Sequence, residues 1–124
     1  MITVLLIGLG GFLGAICRYL LTKSVNSFLS TVFIPFGTII VNIIGSFVLA
    51  FLLTYNYSRA EISQNILLFL GAGFLGAFTT FSTFTYETLL YFQISPRRGI
   101  IYFLLTIISG YGAAVLGYFM GKTV

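Results

Sequence analysis

The sequence predicts an all-α membrane protein of four transmembrane helices, and three observations carry that reading. Of 124 residues, 59% are hydrophobic and only 6% are charged, against about 25% charged in an ordinary soluble domain. Mean hydropathy is +1.12, and apolar runs near or beyond ~18 residues, the length that signals a bilayer crossing, recur along the chain. Those runs are continuous, whereas a membrane β-barrel alternates apolar and polar residues in segments of about ten. Four helices of about 20 residues would use roughly 80 positions and leave roughly 44 for ends and loops.

The first span is ITVLLIGLGGFLGAICRYLL, about residues 2–21, followed by a polar stretch, 22–35, read as turn-forming, with Lys23, Asn26 and Ser30. The second, FGTIIVNIIGSFVLAFLLTY, covers about 36–55, and Asn56, Ser58, Arg59, Glu61 and Gln64 mark the next loop. A third span covers about 65–91 and contains an unusual polar passage. Ser95, Pro96, Arg97 and Arg98 are read as a turn, because Pro disfavours helix in the residue before it. The fourth span covers about 99–120. No linker is long enough to separate domains, so residues 1–124 form a single four-span domain.

Composition excludes whole classes of function. Six Lys and Arg, two acids and no His cannot cover a globule of this size in water, which removes a soluble enzyme. The net charge of +4 is scattered, which favours contact with the lipid bilayer and tolerance of anions over nucleic acid. The lone Cys17 forms no intramolecular disulfide, and without His there is no zinc, haem or iron–sulfur site. No Lys or Arg precedes the first apolar run, so a cleavable signal peptide is not expected.

Four spans put both termini and the second loop on one side. Arg18, Lys23, Arg97 and Arg98 lie at or near loops one and three, and Arg59 and Lys122 on the opposite side, a count of four against two. Positive residues favour the cytoplasm, so this weak bias either permits insertion in both orientations or modestly favours loops one and three on the cytoplasmic side. Four short helices enclose a pore poorly, so self-association is expected. Gly10 with Gly14, and Ser109, Ala113, Gly117 and Gly121, form small-residue stripes that suit close helix approach in lipid, within one subunit or between two.

A polar side chain inside a span needs a partner or a water-filled cavity. Thr38, Asn42 and Ser46 recur every four residues along one face of the second helix. Asn42 carries two N–H donors, which suit either an interhelical hydrogen bond or the partial dehydration of an anion. Residues 71–76 read GAGFLG, but no strand precedes them and no acid follows about 20 residues on, so a dinucleotide site is rejected. Glycines followed by TTFSTFTYET at 79–88 predict a third helix broken at membrane depth, its freed carbonyls met by protein, water or a cation. Phe81 and Phe84 share a face, and the positive edges of their rings can touch an anion weakly, as conduction requires. Ser82 and Thr83 offer hydroxyls to neighbouring helices. Arg18 either snorkels to the interface or draws anions into a vestibule. Glu61 and Glu87 lie at a loop and a span end, so no Asp, Glu or His sits mid-span to serve a proton relay. Tyr102 and Ser109 share a face of the fourth span.

The combination GGFLGAICRY at 10–19, GTIIVNIIGSF at 37–47 and GAFTTFSTFTYE at 76–87 resembles the fluoride channel family (Fluc, also called CrcB) across all four spans. The resemblance implies a passive fluoride channel of a prokaryotic plasma membrane, built as an antiparallel dual-topology dimer with two pores and a structural sodium ion (Na+) at its centre. The partners implied are fluoride, the bilayer, and a second copy or a paired homologue as homodimer or heterodimer. By position, Phe81 and Phe84 correspond to the pore phenylalanines and Asn42 to the polar pore residue. Gly76 and Thr79 would give backbone carbonyls to sodium. Thr38, Ser82, Thr83, Tyr102 and Ser109 match polar pore-side positions, and Glu87 a vestibule acid.

Two other readings compete. A proton-coupled exporter of the small multidrug type needs an acid in the first span, which has none. A non-transporting scaffold subunit leaves Asn42 and TTFSTF as an unexplained cost in lipid.

Overall fold

Lipid supplies no hydrogen-bond partners, so a spanning segment must close its own backbone bonds. The computed structural model, which describes residues 1–29 and 34–124, does so with helices. Four runs are long and apolar enough to cross a membrane: Ile2–Phe28, Phe36–Arg59, Gln64–Ile94 and Pro96–Thr123. The protein is a multi-pass membrane protein. The first two runs are α1 (Ile2–Phe28) and α2 (Phe36–Arg59). The third is composite: α3 (Gln64–Leu67), a π-helical stretch over Leu68–Leu75, α4 (Gly76–Phe78) and α5 (Phe81–Ile94). The fourth is α6 (Pro96–Thr123).

Each helix outruns its expected span, for identifiable reasons. The stretch 22–28, expected as a turn, continues α1, since it contains neither Gly nor Pro. Lys23 lies over the Tyr19 ring, 5.7 Å from its centroid, and the Asn26 Oδ1 accepts the Gly37 N–H at 2.9 Å. Asn26 thus satisfies one of the open N–H groups at the start of α2. Ser30 lies outside the described residues. Asn56, Ser58 and Arg59, expected in a loop, form the last turn of α2, where a cation complements the helix dipole. The chain then reverses at Ala60, a left-handed residue with φ 54°, fixed by Ile62 N–H donating to Asn56 Oδ1 at 2.9 Å. Ser95 is extended, as its Pro dictates, but Pro96, Arg97 and Arg98 open α6 and are not a turn. Proline at the first helical position loses no hydrogen bond and has its φ preset.

Two seams hold the bundle. α1 packs on the π-helical stretch and α2 on α6. At the first seam a Cβ on Gly14 would sit 2.1 Å from the Phe74 carbonyl oxygen, and one on Gly10 2.2 Å from that of Phe69. At the second, a Cβ on Gly117 would sit 2.3 Å from the Phe47 carbonyl oxygen. Backbone meets backbone at both places, so only glycine fits. Both small-residue stripes are therefore used within the chain. α5 also packs on α6, burying Phe84 and Tyr102 with Ile39.

Candidate functional site

Helical dihedrals stop after Phe78: Thr79 and Thr80 are extended, with ψ of 160° and 118°, and α5 restarts at Phe81. In an uninterrupted helix the Thr80 N–H would return to the Gly76 carbonyl. Here it donates to Asn42 Oδ1 at 2.8 Å, while Asn42 Nδ2 donates to the Thr80 carbonyl at 3.1 Å. One side chain from α2 therefore holds both backbone groups of Thr80. Thr80 in turn caps α5, its Oγ1 accepting the Thr83 N–H at 3.2 Å and bonding the Thr83 hydroxyl at 3.1 Å. Ser82 Oγ lies 3.4 Å from the same oxygen.

The Thr79 hydroxyl donates back to the Leu75 carbonyl at 3.0 Å. Gly76 is exposed, and its carbonyl has been released by the donation of Thr80 to Asn42. The donors here are hard, uncharged carbonyl oxygens at the negative end of a helical run, which suits a small hard cation. No cluster of His, Cys, Asp or Glu suited to a metal occurs among the described residues.

Two cavities flank Thr80. The larger, about 450 Å³, is lined by Asn42, Ser46, Thr79, Thr80, Phe81, Phe84 and a strip of α6 containing Thr106, Gly110 and Tyr111. It contains no charged lining residue and is polar through amide and hydroxyl groups. The second, about 320 Å³, is lined by Arg18, Tyr19, Thr22, Lys23, Thr38, Thr80 and Thr83. Its two cations face no lining acid, which makes it electropositive. Arg18 Nε and the Thr38 hydroxyl are buried there without a hydrogen-bond partner among the described residues; Thr38 is 1% exposed.

The two phenylalanines differ. Phe84 is 4% exposed, packed between Tyr102 and Phe103 at 5.9 and 5.8 Å between centroids. Phe81 is 76% exposed, with its ring 6.0 Å from that of Phe84. Tyr102 is fully buried and donates its hydroxyl to the Glu87 carboxylate. This gives Glu87 a hydrogen-bond partner within the chain.

Of the residues singled out in the sequence, Asn42, Thr79, Phe81 and Phe84 share the larger cavity, and Thr38, Thr83 and Arg18 share the basic one. Tyr102 and Glu87 pair beside Phe84. Ser109 joins neither lining; its hydroxyl donates to its own helix at Leu105, 2.6 Å away. Thr80 and Thr106 are site residues that the sequence did not single out. Thr80 had a signal, a hydroxyl residue just before a restarting helix. Thr106 had one too, lying one turn from Tyr102 on the same face.

The chain matches the family described as "CrcB-like protein, Camphor Resistance (CrcB)" over residues 5–118. A protein of Thermosipho africanus named "Fluoride-specific ion channel FluC" is 52% identical over 118 residues, covering 95% of this chain and 94% of the relative. Its namesake in Thermosipho melanesiensis is 47% identical over 118 residues, with 95% and 94% covered. Another of that name, in Dehalococcoides mccartyi, is 42% identical over 120 residues, with 96% and 92% covered.

Proposed function

The chain belongs to the CrcB-like family, and from that premise we propose that it is a fluoride-selective passive channel of a prokaryotic plasma membrane. The observation that carries this reading is the interruption at Thr79 and Thr80, clamped by Asn42 between an uncharged polar cavity and a basic one. The interruption lies at mid-membrane in this reading.

Fluoride is small and tightly hydrated, so a pore must replace its water with hard donors while staying too narrow for chloride. Arg18 and Lys23 gather the anion in the basic cavity. The unpartnered Thr38 hydroxyl and the hydroxyls of Thr83 and Ser82 take over part of its hydration shell. The ring edges of Phe84 and Phe81 then hold it weakly enough to leave. Asn42 still has a second N–H to offer, since Nδ2 has two and the Thr80 carbonyl takes one. Tyr102 positions Glu87 and closes the wall behind Phe84. Ser109 stands at the periphery of this path.

The working unit is an antiparallel dual-topology dimer, a homodimer or a heterodimer with a paired homologue. The exposure of Phe81 and the open face of the larger cavity support it, because one chain alone leaves the path unwalled. Carbonyls of Gly76 and Thr79 from two subunits would supply four oxygens to a structural sodium ion at the dimer centre. Sodium would tie the two interrupted helices together. The physiology is detoxification: hydrogen fluoride enters as a neutral acid, dissociates inside, and the anion leaves down its electrochemical gradient. The exporter and scaffold readings are not favoured.

The test is efflux from liposomes containing only the purified protein, with fluoride and chloride in parallel. Rapid fluoride release without chloride leak is expected. Failure to release fluoride, alone and with a paired homologue added, would overturn the reading.

A further inference from the structure

Tyrosine and a cation recur one turn apart on three of the spanning helices. Lys23 lies over Tyr19, Arg59 over Tyr55 and Lys122 over Tyr118, at 5.7, 5.9 and 6.0 Å from the ring centroids. Such pairs belong at headgroup level, where the ring is half-wet and the cation snorkels. From Arg98 to Lys122, α6 rises about 36 Å, enough to pass from one headgroup layer to the other across ~30 Å of hydrocarbon.

At the Lys122 end a cavity of about 410 Å³ opens between α2 and α6, lined by Leu53, Thr54, Tyr57, Ser58, Tyr118 and Lys122. Its lining has one cation and no acid. The nearby loop acid, Glu61, is engaged by the Tyr55 hydroxyl, and no ion pair holds Lys122 among the described residues. Both helices end here, so their last carbonyls oppose an anion. Several of those carbonyls are already met. Thr123 Oγ1 donates to Phe119 and Met120 at 3.1 Å each, Val124 N–H to Met120, and Ala60 N–H to Asn56. Tyr57 stands 93% exposed at the rim, and below it Leu53, Leu116 and Phe119 are exposed.

We propose that this cavity binds the phosphodiester headgroup of an anionic phospholipid. Lys122 Nζ meets the phosphate, the Ser58 and Tyr57 hydroxyls donate to it, and the acyl chains descend past Leu53 along α6. The site is separate from both cavities around Thr80.

Native mass spectrometry of the whole protein in a neutral detergent, with phosphatidylglycerol and phosphatidylcholine competing, tests this. One basic residue near an anionic surface supplies roughly a fivefold preference, so retention of phosphatidylglycerol is expected to exceed that of phosphatidylcholine by about that factor. Lys122→Gln should abolish the preference and Ser58→Ala weaken it, while Arg97→Gln, at the opposite membrane face, should leave it intact. Both altered residues at the site are exposed, and monodisperse elution checks that each variant stays folded. Equal retention of the two lipids by the parent protein, or a preference surviving in Lys122→Gln, would overturn the proposal. So would equal loss in Arg97→Gln, which would reduce it to general surface charge. Displacement of the lipid by millimolar inorganic phosphate would do so as well, since the cavity would then be a site for free phosphate.

Discussion

Replacing Asn42 by Leu removes the clamp on Thr80 while keeping a branched side chain of the same number of heavy atoms. The parent structure pairs Thr80 N–H with Oδ1 at 2.8 Å and the Thr80 carbonyl with Nδ2 at 3.1 Å. Leucine can serve neither group, and membrane surroundings offer no substitute. Each backbone group left unsatisfied costs ~1–3 kcal/mol, so the pair should cost ~2–6 kcal/mol. Ser46→Ala is the control: Ser46 lines the same cavity but makes none of these bonds, and it should shift stability by about 0.5 kcal/mol or less. Denaturant unfolding in detergent reads the stability. Fluoride efflux from liposomes reads the path, which should lose at least about tenfold in rate, because a 1.4 kcal/mol distortion of the site already amounts to that. An Asn42→Leu protein unfolding within about 1 kcal/mol of the parent, below the cost of even one strongly desolvated group, would refute the clamp. Unchanged efflux in the same variant would remove Asn42 from the path.

The same structure sets three further outcomes. Phe81→Ile and Phe84→Ile should each abolish or strongly reduce fluoride efflux without preventing assembly of the proposed dimer, and unchanged efflux in both would end the ring-edge argument. Only Phe84→Ile should also lower stability, by ~1–3 kcal/mol, less than full truncation of a buried Phe, because Phe81 is exposed. Gly14→Ala would put a Cβ 2.1 Å from the Phe74 carbonyl oxygen and should cost ~1–3 kcal/mol or more in unfolding experiments. Gly8→Ala meets nothing within 4 Å and should be neutral or stabilising by roughly 0.5–1 kcal/mol. Replacing sodium by choline should lower the thermal unfolding temperature of the assembled protein, and an unchanged temperature would argue against a structural sodium.

How far the sequence discloses the molecule depends on the range of the interaction that decides each feature. Hydropathy over ~18 residues is a local sum, and all four spanning helices are found where it places them. Helix ends are decided by competition at the membrane surface. There Lys23, Asn26 and Arg59 read as loop by polarity, yet they continue helices because each finds a ring, an N–H or a dipole to satisfy. The π-helical turn at Leu68–Leu75 had no signal of its own. Gly71 and Gly73 suggested a break, whereas they are buried within the π-helical stretch. There a Cβ on Gly73 would lie 2.7 Å from the Ile7 carbonyl oxygen of α1. The hydroxyl cluster after Gly76 was legible as an anomaly in lipid. Its pairing with Asn42 was not, since the partners are 38 residues apart and nothing in either segment names the other.

That long-range pairing also bears on why a channel for a charged ion needs no charged side chain beside the interruption. By taking the Thr80 N–H, Asn42 frees the Gly76 carbonyl at the end of one helical run. By fixing the Thr80 carbonyl, it orients the Thr80 hydroxyl to cap Thr83, leaving the earliest N–H groups of α5 without helical partners. The negative end of one helix and the positive end of the next then stand two residues apart. In the proposed channel the first serves sodium and the second adds to the donors that meet fluoride. Both are built from backbone, which carries no net charge and is fixed before the ion arrives. A charged side chain at the same depth would bind a counter-ion too tightly to conduct, or would stay costly while the path is empty. The uncharged clamp avoids both outcomes, and its loss in Asn42→Leu should weaken the cation and anion sites together.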